Sequence, residues 1–135
     1  MKTVFITGTN KGLGLEFSKQ YLNEGHAVIA TCRNPDQASE LNALHAMHPG
    51  KLTILKMDLS DEASIQRIGH DIKDRPVDIF ISNAGTATGY ASEVHLNNFG
   101  FVQSGPWINV FRTNCVGPLL LAQVVHPNIL LGQDK

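Results

Sequence analysis

Short apolar runs alternate with amphipathic stretches along most of this chain. Four runs rich in β-branched and apolar residues end at a glycine or a polar turn, as the buried strands of a parallel sheet do. They predict strands over residues 3–7, 26–32, 52–59 and 77–82. Each of the first three strands is followed by apolar residues at helical spacing, which predict three helices. The first runs from Gly12 to a stop at Gly25, the second covers residues 36–47, and the third begins after a cap at residues 60–62.

Strands that alternate with helices of this length are typical of βαβ units. Such units place their strands in parallel and cross over in a right-handed sense. We therefore predict an α/β fold in a single domain over residues 1–135, in which a doubly wound parallel sheet lies between two layers of helices. The expected strand order is 3-2-1-4.

The last third of the chain has a different pattern. Residues 86–106 lack steady periodicity and predict a long surface loop. A long apolar helix is expected from Trp107 to about Val125, with a kink at Gly117-Pro118. Charge is sparse between residues 91 and 134, so this helix is expected to be covered; the only charged side chains there are Glu93, Arg112 and Asp134.

Charge and composition narrow the class of partner. The formal net charge is -1 and the sequence contains no run of basic residues, which argues against a nucleic-acid or membrane-surface partner. Since the apolar stretch near residue 120 is flanked by Pro118 and Pro127, no segment is expected to reach the roughly 20 apolar residues of a membrane helix. A small molecule is the expected partner.

Cysteine and histidine usage gives two further expectations. The two cysteines, Cys32 and Cys115, form no C-x-x-C pair, and the N-terminus lacks a signal-peptide pattern. Reduced thiols and a cytoplasmic location are therefore expected. His45 and His48 share a helix face without a third ligand nearby, so we predict no metal site.

The candidate chemistry begins at the glycine-rich turn Thr7-Gly8-Thr9-Asn10-Lys11-Gly12-Leu13-Gly14. It lies between a buried strand and a helix, where backbone N–H groups and the helix dipole favour a pyrophosphate. Gly8 allows the turn, Gly12 lets the backbone approach phosphate, and Gly14 lets helix and sheet pack closely. Glycines alone also fit an ordinary tight turn.

The spacing TGxxxGxG resembles the form found in the short-chain dehydrogenase/reductase family, and the resemblance extends over the whole chain. Three further features resemble family motifs in the same order: Asp58-Leu59, Asn83-Ala84-Gly85 and Asn114. The branch with C-factor-like proteins and small carbonyl reductases is the most similar. Taken singly, Asp58 also fits a solvated carboxylate, residues 83–85 an ordinary turn, and Asn114 a helix residue bonded to a backbone carbonyl.

The resemblance implies a Rossmann-like fold, of which this chain holds the first four strands, and a nicotinamide dinucleotide as cofactor. In the family, the Asp holds the adenine ring, the Asn-Ala-Gly motif lies beside the cofactor, and the helix Asn contributes to catalysis through a water relay. The predicted catalytic residue is therefore Asn114. The predicted cofactor residues are Gly8, Thr9, Asn10, Lys11, Gly12, Leu13, Arg33, Asp58, Leu59, Asn83, Ala84 and Gly85.

The end of the second strand indicates which dinucleotide is preferred. NAD-binding proteins usually place a carboxylate there, but no acidic residue precedes Asp36. Arg33 at the strand end and Lys11 in the glycine turn suit the 2′-phosphate of NADP. We therefore predict NADP ahead of NAD; the alternative is that both are ordinary surface charges.

Family members use a Tyr and, four residues later, a Lys for proton transfer during hydride transfer to or from a carbonyl. Here Tyr21 and Tyr90 are followed at that spacing by Gly25 and Val94. We therefore expect a truncated form of an oxidoreductase that acts on a small carbonyl or alcohol substrate and is a homo-oligomer when complete. The alternative is a non-catalytic nucleotide-binding or signalling protein with a native half-site.

Overall fold

The computed structural model describes residues 1–87 and 99–133. Within them, four strands alternate with helices in the predicted order. The strands are β1 (Thr3–Thr7), β2 (Ala27–Cys32), β3 (Leu52–Lys56) and β4 (Ile79–Ile81). The helices that follow β1, β2 and β3 are α1 (Gly12–Asn23), α2 (Ser39–Met47) and α3 (Glu62–Asp71), and the last helices are α4 (Ser104–Phe111) and α5 (Gly117–Leu130).

All four strands run parallel in the order β3-β2-β1-β4, which confirms the predicted topology. The register pairs Phe5 of β1 with Ile29 of β2 on one side and with Phe80 of β4 on the other. On its other side, β4 pairs with no strand among residues 1–87 and 99–133. The carboxyl ends of the four strands therefore share one edge, where ligands of open α/β sheets bind.

The core lies on both faces of the sheet because successive side chains of a strand point to opposite faces. Val4 and Ile6 pack with Leu15 and Leu22 of α1 on one face. Phe5 packs on the other face, in the cluster that holds the buried side chains of α3 and α5. The predicted arrangement of helix, sheet and helix layers is thus confirmed.

Several boundaries differ from the predicted ones. Strands two, three and four, predicted over 26–32, 52–59 and 77–82, are shorter, and β3 ends at Lys56 because a turn at Asp58–Ser60 takes the chain out of the sheet. The helix predicted over 36–47 is split into a 3₁₀-helix, Pro35–Gln37, and α2. The split falls at Ala38, whose backbone is not helical and whose side chain is buried.

The C-terminal helix departs most from expectation. The predicted loop over 86–106 ends at Ser104, where α4 begins, and its central residues 88–98 lie outside the described residues. A π-helical segment, Arg112–Val116, connects α4 to α5, so the interruption expected at Gly117-Pro118 is a change of helix type. The N–H of Gly117 donates to the carbonyl of Arg112, five residues earlier.

Neither Pro118 nor Pro127 ends the C-terminal helix. The expectation that no segment is long and apolar enough to cross a membrane was wrong. Residues Ser104–Leu130 form one continuous helical stretch of 27 residues that is long and apolar enough to do so. Length and composition alone do not separate a membrane span from a core helix. Leu121 and Val125 are fully buried against the α3 face of the sheet, but only 17% of the most apolar 18-residue window of this helix is buried.

Candidate functional site

After the end of β1, the glycine turn has a left-handed backbone conformation at two glycines. Gly8 has φ +69° and Gly12 has φ +60°, which glycine adopts without strain. The N–H groups of Gly8 and Thr9 both donate to the carbonyl of Thr31 at the end of β2, over 3.0 and 3.1 Å. Since these two donors are already used, an anion would have to bind other N–H groups, among them those of the first turn of α1.

Gly14 brings this turn against the loop after β4. A Cβ at this position would overlap the carbonyl oxygen of Gly8 and lie 2.6 Å from Nδ2 of Asn83. Asn83 Nδ2 also donates to the carbonyls of Thr7 and Gly8, over 2.9 and 3.2 Å. Helix, turn and loop are therefore in direct contact at Gly14.

Thr7 fastens the same loop from β1. Its buried hydroxyl oxygen accepts hydrogen bonds from the backbone N–H groups of Asn83 and Ala84, each over 2.9 Å. Residues 83–85 are thus held by β1 rather than forming an isolated turn. The sequence assigns Thr7 no role in the glycine turn, because it gives no sign of a partner 76 residues away.

Asp58 lies in a turn just beyond β3. Its Oδ1 accepts hydrogen bonds from the backbone N–H and the hydroxyl of Ser60, over 2.8 and 2.7 Å. Its own N–H donates to the hydroxyl of Ser64 over 2.9 Å. Within the described residues Oδ2 accepts no hydrogen bond, so this oxygen is the one that can receive a donor from a ligand.

The end of β2 supplies a thiol and a cation. Burial raises the pKa of the Cys32 thiol, and a hydrogen bond with the backbone of Asn34 only partly opposes this. The thiol is therefore protonated and neutral near pH 7. The next residue, Arg33, is exposed and forms no salt bridge within residues 1–87 and 99–133.

Asn114 in the π-helical segment binds the backbone beyond β4. Its Oδ1 accepts from the N–H of Thr86 over 2.8 Å, and its Nδ2 donates to the carbonyl of the same residue over 2.7 Å. These contacts of Asn114 match the alternative given above, in which a helix asparagine bonds to a backbone carbonyl. The side chain holds the loop after residues 83–85 against the helix.

These features surround one cavity of about 560 Å³ at the carboxyl ends of the strands. Most of the predicted cofactor residues line it, namely Gly8, Asn10, Lys11, Gly12, Arg33, Asp58, Leu59, Asn83, Ala84 and Gly85. Thr9, Leu13 and Asn114 do not line it: the Thr9 hydroxyl donates to the Thr31 carbonyl in the interior, and Leu13 is 70% exposed.

Other lining residues were not predicted. They are Thr31, Cys32, Met57, Ser60, Thr86, Ala87, Asn109 and Thr113. All but Asn109 adjoin a predicted residue or lie one or two positions from it, and Thr113 is next to Asn114, so proximity in sequence could have suggested them. Asn109 and Thr113 lie on the helix after the long loop, and their approach to the cavity depends on how that helix packs.

A scan against family models matches residues 2–135 to one family, described as short chain dehydrogenase. The chain belongs to the short-chain dehydrogenase family. The C-factor-like branch within this family stays a prediction. Membership and the order β3-β2-β1-β4 agree with the resemblance carried by residues 7–14, 58–59, 83–85 and 114.

The relatives of this chain include proteins named as oxidoreductases. An uncharacterized oxidoreductase of Bacillus subtilis, YusZ, is 32% identical over 95% of this chain and 44% of its own length. The human WW domain-containing oxidoreductase is 34% identical over 93% of this chain and 29% of its own length. An uncharacterized oxidoreductase of Schizosaccharomyces pombe is 29% identical over 99% of this chain and 51% of its own. The chain spans about half the length, or less, of these relatives.

Solved structures of short-chain dehydrogenases share the fold. An NADPH-bound carbonyl reductase from chicken fatty liver is 31% identical and has a TM-score of 0.76, over 94% of this chain and 48% of that one. A carbonyl reductase from Pseudomonas aeruginosa PAO1 in complex with NADP is 27% identical and has a TM-score of 0.79, over 95% and 56%.

Proposed function

We propose that the 560 Å³ cavity binds a nicotinamide dinucleotide, with NADP preferred to NAD. In the complete protein, this cofactor half would serve an oxidoreductase that transfers hydride between the nicotinamide and a carbonyl or alcohol carbon. One observation carries the proposal: the start of α1, Arg33, Asp58 and residues 83–85 all line the same cavity at the strand ends. When bound, the nicotinamide would supply the hydride chemistry that amino-acid side chains lack.

The residues present fit each part of such a cofactor. The first turn of α1 offers backbone N–H groups and the positive end of the helix dipole to a pyrophosphate. Asp58 Oδ2 can accept a hydrogen bond from the exocyclic amine of adenine, because Ser60 occupies Oδ1. Residues 83–85, held by Thr7, form a fixed wall beside the remaining part of the cavity.

The charges around the cavity favour the phosphorylated dinucleotide. Lys11 and Arg33 both line it, and Asp58 is its single acidic lining residue within the described part of the chain. A carboxylate at the end of β2, which would accept the ribose hydroxyl of NAD, is absent from that lining. Two of the structurally similar carbonyl reductases contain NADPH or NADP, which supports the same preference.

The oxidoreductase reaction is favoured over the non-catalytic alternative because the similar curated proteins are named as oxidoreductases. Hydride transfer to a carbonyl also needs a proton donor. Tyr21 cannot serve within this chain, since its ring packs on the core and against His26 at a centroid distance of 6.0 Å. Tyr90, which lies outside the described residues, has Val94 instead of a lysine four residues later, so the 135-residue chain is expected to bind the dinucleotide without turning over a substrate.

Titration of the 135-residue chain with NADPH and NADH tests the binding part of this proposal. We expect NADPH to bind more tightly, and we expect Arg33→Ala to narrow the difference. Losing charge-assisted hydrogen bonds to the 2′-phosphate weakens NADPH binding by about tenfold or more. NADH binding, which makes no such bonds, changes little; nicotinamide fluorescence measures both affinities.

The matched control is Arg67→Ala, which removes an exposed arginine of α3 that does not line the 560 Å³ cavity. It is expected to leave both affinities unchanged. Equal or reversed affinity for the two dinucleotides in the unsubstituted chain would contradict the NADP preference. Failure of both to bind would contradict the proposed site as a whole.

A further inference from the structure

Thr9 is the one buried residue of the glycine turn between Gly8 and Gly12. Its neighbours Gly8 and Asn10 both line the 560 Å³ cavity, whereas Thr9 is fully buried and does not line it. The sequence predicted Thr9 as a cofactor residue, but its side chain lies in the interior. Any effect of Thr9 on a ligand therefore passes through the residues that it holds.

The hydroxyl of Thr9 is bound to the second strand. It donates to the carbonyl of Thr31 over 3.1 Å. The same oxygen accepts from the N–H groups of Gly8 and Thr9, over 3.0 and 3.1 Å. Thr31 pairs with Thr7 at the last register position between β1 and β2, so the chain leaves the sheet by turning around this one carbonyl.

The hydroxyl restrains a segment of backbone that has few other restraints. Gly8 and Gly12 both have positive φ, and glycine has access to more backbone conformations than other residues. Asn10 and Lys11, between them, are exposed. Among residues 8–12, Thr9 is the residue whose side chain hydrogen-bonds to the sheet. A segment that is held in one conformation before binding loses less entropy when a ligand binds.

We infer that Thr9 is a positioning residue for the pyrophosphate of the dinucleotide. This inference rests on the proposed function. By binding the Thr31 carbonyl, the hydroxyl keeps the glycine turn in the conformation that leads into α1, whose first N–H groups would receive phosphate oxygens. Without the hydroxyl, this carbonyl keeps two N–H donors, so no buried acceptor is left unpaired. The effect is therefore expected on binding more than on folding.

The test compares ADP with adenosine, because ADP carries a pyrophosphate and adenosine carries none. Thr9→Val replaces the hydroxyl by a methyl group of similar size. It is expected to weaken ADP binding to the 135-residue chain about tenfold, because the turn must then be ordered on binding. Adenosine, whose contacts would lie at Asp58, should change less than about twofold. Isothermal titration calorimetry measures the affinity for ADP, and NMR chemical-shift titration measures the affinity for adenosine.

Two further variants isolate the hydroxyl. Thr9→Ser keeps the hydroxyl and Thr9→Ala removes it, while both lack the methyl group. We expect Thr9→Ser to bind ADP within about threefold of the unsubstituted chain, and Thr9→Ala to bind it about tenfold more weakly than that chain. This pair decides the question if Thr9→Val does not fold, which circular dichroism detects.

Ser18→Ala is the matched control. Ser18 is also fully buried, and its hydroxyl donates to the carbonyl of Gly14 over 2.8 Å, within α1. This substitution removes a buried hydroxyl without releasing the glycine turn from β2, so both affinities should stay unchanged.

The inference is wrong if Thr9→Ala binds ADP as tightly as Thr9→Ser, if adenosine binding weakens as much as ADP binding, or if Ser18→Ala has the effect of Thr9→Ala. An unsubstituted chain that binds neither ADP nor NADPH would overturn the proposed function as well. Normal binding of ADP and NADPH by every Thr9 variant overturns only the role of Thr9.

Discussion

Asp78, just before β4, joins two parts of the chain that are distant in sequence. Its Oδ2 accepts from the N–H of Thr3 and its Oδ1 from the N–H of Gln133, each over 2.7 Å. The hydrogen bond from Thr3 is the largest influence that lowers the pKa of this carboxyl, followed by the bond from Gln133; partial burial opposes them. The ionised carboxylate therefore stabilises the fold.

Asp78→Asn is expected to lower the free energy of unfolding by about 1 kcal/mol at neutral pH, because a neutral amide offers one acceptor oxygen where the carboxylate offers two. Folding lowers the pKa of Asp78, so the ionised carboxylate adds fully to the free energy of unfolding at any pH above the unfolded pKa of about 4. This stabilisation is lost as the pH falls through the lower pKa of the folded state. The difference between the two proteins should therefore be constant from neutral to mildly acidic pH and shrink below about pH 4. Urea unfolding across this pH range measures it.

Asp71→Asn provides the comparison, since Asp71 is exposed at the end of α3. Its effect is expected to stay within about 0.5 kcal/mol. A stability difference for Asp78→Asn that persists unchanged to pH 2 would show that the lowered pKa does not contribute.

For individual residues, the sequence indicated which of them lie at the site but not which groups they contact. Glycine spacing predicted Gly8 at the site, and the resemblance to family motifs, together with their positions at strand ends, predicted Asp58 and residues 83–85 there. The hydrogen bonds of Thr7 with residue 83 and of Asn114 with Thr86 span 76 and 28 residues of sequence. Such pairs depend on three-dimensional packing, which no local pattern encodes.

The start of α5 packs unusually close to the segment that carries Asp58. A Cβ at Gly117 would overlap the carbonyl oxygen of Leu59 and lie 3.0 Å from its Cβ. Leu59 is itself buried in the cluster between the sheet and α5. The contact between this helix and the site therefore requires the absence of a side chain at position 117.

Gly117→Ala is expected to lower the free energy of unfolding by about 2 kcal/mol, because backbone cannot move aside cheaply in a packed interior. The matched control is Gly105→Ala in α4, where an added Cβ meets nothing within 4 Å. There the higher helix propensity of alanine should leave stability unchanged or raise it by up to about 1 kcal/mol. Thermal unfolding measures both; equal effects would contradict the packing explanation.

The strands and helices could be predicted where the hydrophobic periodicity is strong, but the residues at which they begin and end were less predictable. The four strands and their order follow from apolar runs and the geometry of βαβ units. The split falls at Ala38, a buried residue whose backbone is not helical, and the π-helical segment has a hydrogen-bond register that hydrophobic spacing does not reveal. The missing N–H of Pro118 was recognised, but the helix continues through it with a different register rather than ending.

The molecule exposes a broad apolar surface along its last helices. Trp107, Ile108, Phe111 and Leu119 are between 49% and 65% exposed, and Arg112 is the single charged residue described from residue 99 to 133. Large apolar side chains that are exposed together along one helix often mark a site of contact with another surface. Self-association of the chain would remove it from water.

We expect the 135-residue chain to self-associate in a concentration-dependent way, and Phe111→Lys to shift it toward the monomer, because a charge in an apolar interface is costly to desolvate. Met47→Lys, at a similarly exposed apolar residue of α2, should leave the association unchanged. Sedimentation velocity over a range of concentrations measures the proportion of monomer and oligomer for the unsubstituted chain and for each variant. A chain that is monomeric at every concentration, or a Met47→Lys variant with the same effect, would contradict this role of the helix surface.

The hydroxyl of Thr7 has a consequence for how the molecule opens. Because one oxygen accepts from the amides of both Asn83 and Ala84, neither amide can exchange its proton with solvent while β1 and the loop stay together. The two amides should therefore exchange deuterium at a shared rate, as one cooperative unit with β1. Local fraying at the cavity would then release both edges of the binding site in a single event.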